Sequence, residues 1–165
     1  MPQTRRTFLR NSGVGLLTFY IGGCEVEMTP QEAREAEVAF RVLSDTEVAT
    51  VDALGEILVP GAAGAGLSHF IDHQLAASPE ESLLMIRYLG VNPPFAPFYQ
   101  GGLAAVNALS QTQQGKPYAG LNRDQQTEIL GQFAQSNPDG WDGPPGPFLY
   151  FVLRNDAVDV VYGTR

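Results

Sequence analysis

The sequence is poor in the residues that build covalent and redox chemistry. Its single cysteine, Cys24, stands near the N-terminus. The chain after it can form no internal disulfide, cysteine-ligated iron–sulfur cluster or C-x-x-C-H haem attachment. That part of the chain must be held by its core alone. Lysine is equally scarce, with Lys116 alone. The formal net charge is −8, from 10 Lys+Arg against 18 Asp+Glu. Three of the arginines, Arg5, Arg6 and Arg10, precede Cys24 with no acid among them, so the remainder carries seven basic and eighteen acidic side chains, a net −11. Such a surface repels phosphate backbones and excludes a nucleic-acid partner. It gives no reason to expect binding to anionic lipid. The apolar run from Val14 to Ile21 falls far short of the ~20 residues a spanning helix needs. There is no Gly-rich phosphate loop between a strand and a helix, no G-x-S-x-G elbow and no internal repeat. No stretch alternates cleanly with a period of two between hairpin turns, so no strand is expected.

What the chain does have begins at its N-terminus. Thr4-Arg5-Arg6-Thr7-Phe8-Leu9-Arg10, followed by a mild apolar run and Ile21-Gly22-Gly23-Cys24, resembles the leader of the twin-arginine export pathway. Arg5, Arg6, Phe8 and Leu9 carry that resemblance. The pathway moves proteins already folded, so the rest of the chain is expected to fold in the cytoplasm. It would then work in the periplasm or at the outer face of the cytoplasmic membrane. Cys24 has two readings. It is the acylated first residue of a lipoprotein, which would tether the chain to the membrane face, or it is a small residue in an ordinary signal end. On this reading residues 1–24 are the signal, 25–41 an acidic solvated linker dominated by Glu25, Glu27, Glu32, Glu35 and Glu37, and 42–165 the globular domain.

The domain reads as helices. Ser44-Asp45-Thr46-Glu47 is a capping box, and Val48, Val51, Leu54 and Leu58 follow on one helical face until Pro60-Gly61. A second helix from Ser68 turns Phe70, Ile71 and Leu75 inward. Ser78-Pro79-Glu80-Glu81 starts a third, with Leu83, Leu84, Ile86 and Leu89 inward and Gly90 at its end. The rigid Asn92-Pro93-Pro94-Phe95-Ala96-Pro97 leads to a fourth, from about Phe98 to Gln113. Asn122 and Gln125 cap a fifth that carries Ile129, Leu130 and Phe133. After a second Pro/Gly-rich loop holding Trp141, a last helix runs from about Phe148, with Phe151, Val152, Val158 and Val161 inward. The fold class is all-α: one small domain of five or six helices joined by Pro/Gly-rich loops.

Chemistry is thinly represented. His69 and His73, the only histidines, stand four apart on one helix, a metal-ligand spacing that would need a third ligand such as Asp72. The alternative is one partly exposed histidine capped by Asp72 and one on the rim of the core. Glu80-Glu81 and the pair Asp156/Asp159 are placed as helix-start and solvated-face charges, without acid–base roles. Phe95, Phe98, Tyr99, Trp141 and Phe148 lie on or beside the two Pro-rich loops. Aromatics on stiff backbone make good interface anchors, so these five are the expected partner contact. Packing within the domain is the competing role.

Several stretches together are similar to one family. They are the leader, Glu56-Ile57-Leu58-Val59-Pro60-Gly61, Ala65-Gly66-Leu67-Ser68-His69-Phe70-Ile71-Asp72, Gly102-Leu103-Ala104-Ala105-Val106-Asn107-Ala108-Leu109, Leu121 to Leu130, and the end from Pro147 to Gly163. The chain resembles the small (gamma, subunit 3) subunit of gluconate 2-dehydrogenase and related periplasmic sugar and polyol dehydrogenases. The resemblance implies a non-catalytic subunit without a cofactor of its own. It would stabilise a large flavoprotein of the glucose–methanol–choline type, which holds FAD, and lend it an export signal. A multihaem cytochrome c often takes the electrons. Membrane contact would come through a partner or a lipid on Cys24. Members usually continue past the final helix with a Gly- and Pro-containing tail, so part of the partner-facing surface is expected to be absent here. Two rival functions remain from other classes: a free-standing exported binding lipoprotein, and a small metal-dependent enzyme using His69 and His73.

Overall fold

The computed structural model describes residues 15–163, and Asp45–Leu58 is the helix the others are packed around. In chain order come β1 (Leu17–Ile21), β2 (Cys24–Met28), α1 (Pro30–Glu35), α2 (Asp45–Leu58) and α3 (Leu67–Ala76). A 3-10 helix (Met85–Leu89) follows, then α4 (Ala96–Gln114), a second 3-10 turn (Tyr118–Gly120), α5 (Arg123–Gln135) and α6 (Gly146–Gly163). The architecture is mostly helical, as expected, with six α-helices among the described residues. Helix α2 touches α3, α4, α5, α6 and the Tyr118 turn. Its inward face is small as well as apolar: Thr50, Val51, Leu54 and Gly55 are buried. A Cβ on Gly55 would stand 2.5 Å from Leu67 Cδ2, so glycine there sets how closely α3 can lie.

Local chemistry accounts for the helix starts. Thr29, Ser44 and Asn122 each cap a helix and are capped in return by Glu32, Glu47 and Gln125. Helix α3 starts differently. Its cap is Gly66 in the left-handed region, and a side chain there would run into the Pro30 carbonyl. Glycine therefore lets the starts of α1 and α3 meet.

Four expectations change. The stretch Leu17–Met28 is an antiparallel hairpin in which Leu17 faces Met28, Phe19 faces Val26 and Ile21 faces Cys24. Gly22 and Gly23, both at positive φ, make its two-residue turn. Leu17, Phe19 and Met28 point into the core, while Thr18 and Tyr20 face out. Residues 17–24, expected as the end of an export signal, are β1, the turn and the first residue of β2. Arg5, Arg6, Phe8 and Leu9 lie outside the described residues.

The expected linker, 25–41, is also part of the fold. Ala33 and Val38 are buried, Arg34 pairs with Asp52 at 2.7 Å, and α1 lies on α3. The core therefore starts at Leu17 rather than near Val42. The expected third helix is only the short 3-10 helix, preceded by a turn in which the Glu81 amide bonds back to Ser78. Leu84 and Ile86 are inward, but Leu89 is exposed. On α6, Phe151 points outward, with an exposure of 46%.

Candidate functional site

Helix α3 carries the histidines, and both rings are spent on holding neighbouring chain segments. His69 is buried, and its Nε2–H donates to the Val38 carbonyl at 3.1 Å. The Phe40 ring lies over it, with centroids 4.4 Å apart. His73 Nε2–H donates to the Thr18 carbonyl on β1 at 3.0 Å, and Phe19 packs against the ring at 5.0 Å. A carbonyl partner requires the proton on Nε2 in each case. Burial lowers both histidine pKa values, and the carbonyl hydrogen bonds oppose it. The four-residue spacing does put the histidines on one side of α3, but their Nε2 atoms engage carbonyls from two different segments, and His69 Nδ1 is buried without a hydrogen-bond partner. Among the described residues no group of three His, Cys, Asp or Glu side chains is placed to hold a metal ion.

Asp72 neither caps a histidine nor stands as a third ligand. Its carboxylate accepts the backbone N–H groups of Arg41, Val42 and Leu43 at 2.9, 2.8 and 2.9 Å. That grip clamps the approach to α2 onto α3. Beside it two shallow clefts open. One, about 520 Å³, is lined by Arg34, Phe40, Asp45 and His69 among others. The other, about 360 Å³, lies between β1 and residues 38–41, with His73 and Asp72 in its wall. Arg41 stacks over Tyr20 at its edge, 5.7 Å from the ring centre.

The five expected interface aromatics divide. Tyr99 is fully buried and Phe95 nearly so, which makes them core residues and not surface anchors. Trp141 is partly buried and stacks on Phe133 with centroids 5.4 Å apart. Its Nε1–H donates to the Pro144 carbonyl at 2.7 Å, closing its own loop. Phe98 and Phe148 pack edge-to-face on each other at 5.4 Å and rest half-buried on the core. The large apolar side chains that do face solvent are Tyr20, Ile21, Tyr88, Leu89, Phe151 and Tyr162.

Asp156, expected on a solvated face, is wholly buried. It accepts the Tyr99 hydroxyl at 2.6 Å and the Met85 amide at 2.9 Å. It thereby ties α4, α6 and the 3-10 helix together. Burial pushes its pKa up to about 7, against the pull of its two hydrogen bonds. The same burial raises the Tyr99 pKa well above its ordinary value. Only spacing could have flagged this residue: Val152, Asp156 and Val160 fall on one helical face, which makes Asp156 an inward position of α6.

The clefts are shallow, the histidines and Asp72 are committed to backbone partners, and the exposed apolar side chains lie outside both clefts, apart from Tyr20 at the edge of one. The described residues form a small, mostly helical domain. The model for the family gluconate 2-dehydrogenase subunit 3 matches residues 45–165, from the first turn of α2 to the end of the chain. The chain belongs to that family, whose members are accessory subunits of a dehydrogenase complex. No curated protein and no solved structure matches it.

Proposed function

We propose that this chain is the non-catalytic small subunit of a membrane-associated FAD-dependent dehydrogenase. The large subunit is of the glucose–methanol–choline type and oxidises a sugar, sugar acid or polyol. FAD resides in that subunit and haem in a cytochrome c that accepts the electrons. The small subunit stabilises the large one and carries it, folded, through the twin-arginine pathway to the periplasm or the outer face of the cytoplasmic membrane. One observation carries this reading: the family match runs through the whole helical body, α2 to α6, and not through one short motif.

The contact with the large subunit is assigned to side chains that face solvent. Phe151 and Tyr162 stand eleven residues apart on α6, about three turns, so they point within roughly 20° of one direction. Tyr88 and Leu89 sit on the 3-10 helix packed against α6. Large aromatics exposed in this way are the residue types that anchor interfaces.

The test is to purify the tagged full chain from its native host. A flavoprotein should accompany it at fixed stoichiometry, with flavin absorbance near 450 nm and dye-linked dehydrogenase activity. A chain that purifies alone and colourless from cells making the dehydrogenase overturns the reading.

A further inference from the structure

We infer that the hairpin Leu17–Met28 belongs to the mature domain, so the peptide bond before Cys24 is not a processing site. Three observations carry this. All five residues of β1 are paired with β2. Leu17, Phe19 and Met28 join the same core cluster as Leu54, Phe70 and Val160. The Thr18 carbonyl on β1 is the acceptor for His73 Nε2–H, and Phe19 covers that ring.

Acylation of an N-terminal cysteine requires hydrolysis of the Gly23–Cys24 peptide bond, with release of everything before it. Here that hydrolysis would cut the hairpin at its turn and remove β1. It would strip Phe19 from the core, leave β2 without a partner and orphan the His73 donor. A two-stranded sheet cannot survive the loss of one strand. The Gly22-Gly23 pair has a structural explanation that needs no peptidase. Both residues adopt positive φ, which a two-residue hairpin turn of this kind requires. Cys24 begins β2 as an exposed free thiol.

One consequence concerns the membrane. Leu17 to Ile21, the described strand of the apolar run Val14 to Ile21, supply β1 and its core contacts. Those residues cannot lie in a bilayer while they are paired and packed. The folded hairpin therefore offers no membrane contact of its own, and under the proposed function that contact comes through a partner. The inference does not depend on which partner that is, nor on whether Arg5-Arg6 is read by the export machinery.

The experiment is intact-mass analysis of the full chain, made with its own N-terminus in a Gram-negative host and taken separately from soluble and membrane fractions. The expected species begins at or before Leu17, carries an unmodified Cys24 and reacts with one equivalent of Ellman's reagent without denaturant. Any N-terminus after Leu17, or a mass bearing fatty acyl groups, overturns the inference. Two full-length variants check the packing. Phe19→Ala should lower the melting temperature by about 6–12 °C, as expected for emptying a core site in a domain of this size. Tyr20→Ala, one residue on but facing out, should shift it by less than about 2 °C. Equal, small shifts for both variants would show the hairpin to be dispensable and overturn the inference.

Discussion

On the α3 side of the core stand two histidines, His69 buried and His73 half-buried, whose pKa values burial lowers. On the α6 side the buried group is a carboxyl, Asp156, whose pKa burial raises to about 7. Both sides use a polar side chain to pin a neighbouring segment that has little helix of its own. His73 pins β1, Asp72 pins residues 41–43, and Asp156 pins the 3-10 helix at Met85. The chemical difference gives the two sides opposite responses to protons. An imidazole held neutral in the fold but free to charge in the unfolded chain loses stability as pH falls below about 6.5. A carboxyl held protonated in the fold but ionised in the unfolded chain loses stability as pH rises from about 4 to 7. The fold is therefore squeezed from both directions, and each side can be probed through its own residue.

The largest expected effect comes from the α3 side. Asp72→Ala leaves three amides without their acceptor, each costing about 1–3 kcal/mol. Chemical denaturation should show a loss of about 4 kcal/mol, partly recovered by Asp72→Asn, which keeps one acceptor oxygen. An equal loss in both variants would mean that the second oxygen is indispensable.

The α6 side is tested by Asp156→Asn, which removes the titration while keeping an acceptor for Met85. Relative to this variant the wild type should lose stability as pH rises from 5 to 7.5, by a few kcal/mol, on the order of 1.4 kcal/mol for each pH unit in the window. The histidines are common to both proteins, so their opposite slope cancels in the difference. Parallel curves would refute the buried-carboxyl account. A matching comparison with His73→Gln should flatten the acid limb and leave the neutral-to-alkaline limb alone.

Smaller effects separate packing from partner binding. Trp141→Ala should cost this domain about 2–3 kcal/mol, because the indole stacks on Phe133 and closes its loop. Its effect on the complex should be no larger than that destabilisation explains. Phe151→Asp should change the isolated domain by no more than about 0.5 kcal/mol, since the ring faces solvent. If the α6 face is the contact, the same variant should weaken the complex by about tenfold or more. A Trp141 variant that melts normally but fails to bind would return the interface to the Pro-rich loops.

Much of the helical body was legible because its signals are local. The Ser44/Glu47 and Asn122/Gln125 boxes, the Pro60-Gly61 stop and the Gly90 end are each written within four residues. The hairpin was not legible, since Leu17-Thr18-Phe19-Tyr20-Ile21 is apolar at four of five positions and does not alternate cleanly, so Gly22-Gly23 lacked the flanking pattern that marks a turn. The same glycines also resemble a signal-peptide end, and the sequence reads that way. The roles of Asp72 and Asp156 were not legible. Their partners lie about thirty and seventy residues away in the chain, and spacing marks a position as inward without naming what it meets. The aromatics misled for a related reason. Proline-rich context gives Phe95, Tyr99 and Trp141 stiff backbone, but stiffness serves a core contact as well as an interface, and only burial tells the two apart.

The central claim, that this chain exists to stabilise and deliver a dehydrogenase, is tested most directly in its native host with its gene deleted. Periplasmic dye-linked oxidation of sugars, sugar acids and polyols should be compared with the amount of flavoprotein outside the cytoplasm. The account predicts that one of these activities is lost together with its flavoprotein. Both should return with the wild-type chain but not with Arg5-Arg6 changed to Lys-Lys. Full activity and normal flavoprotein levels in the deletion strain would contradict it.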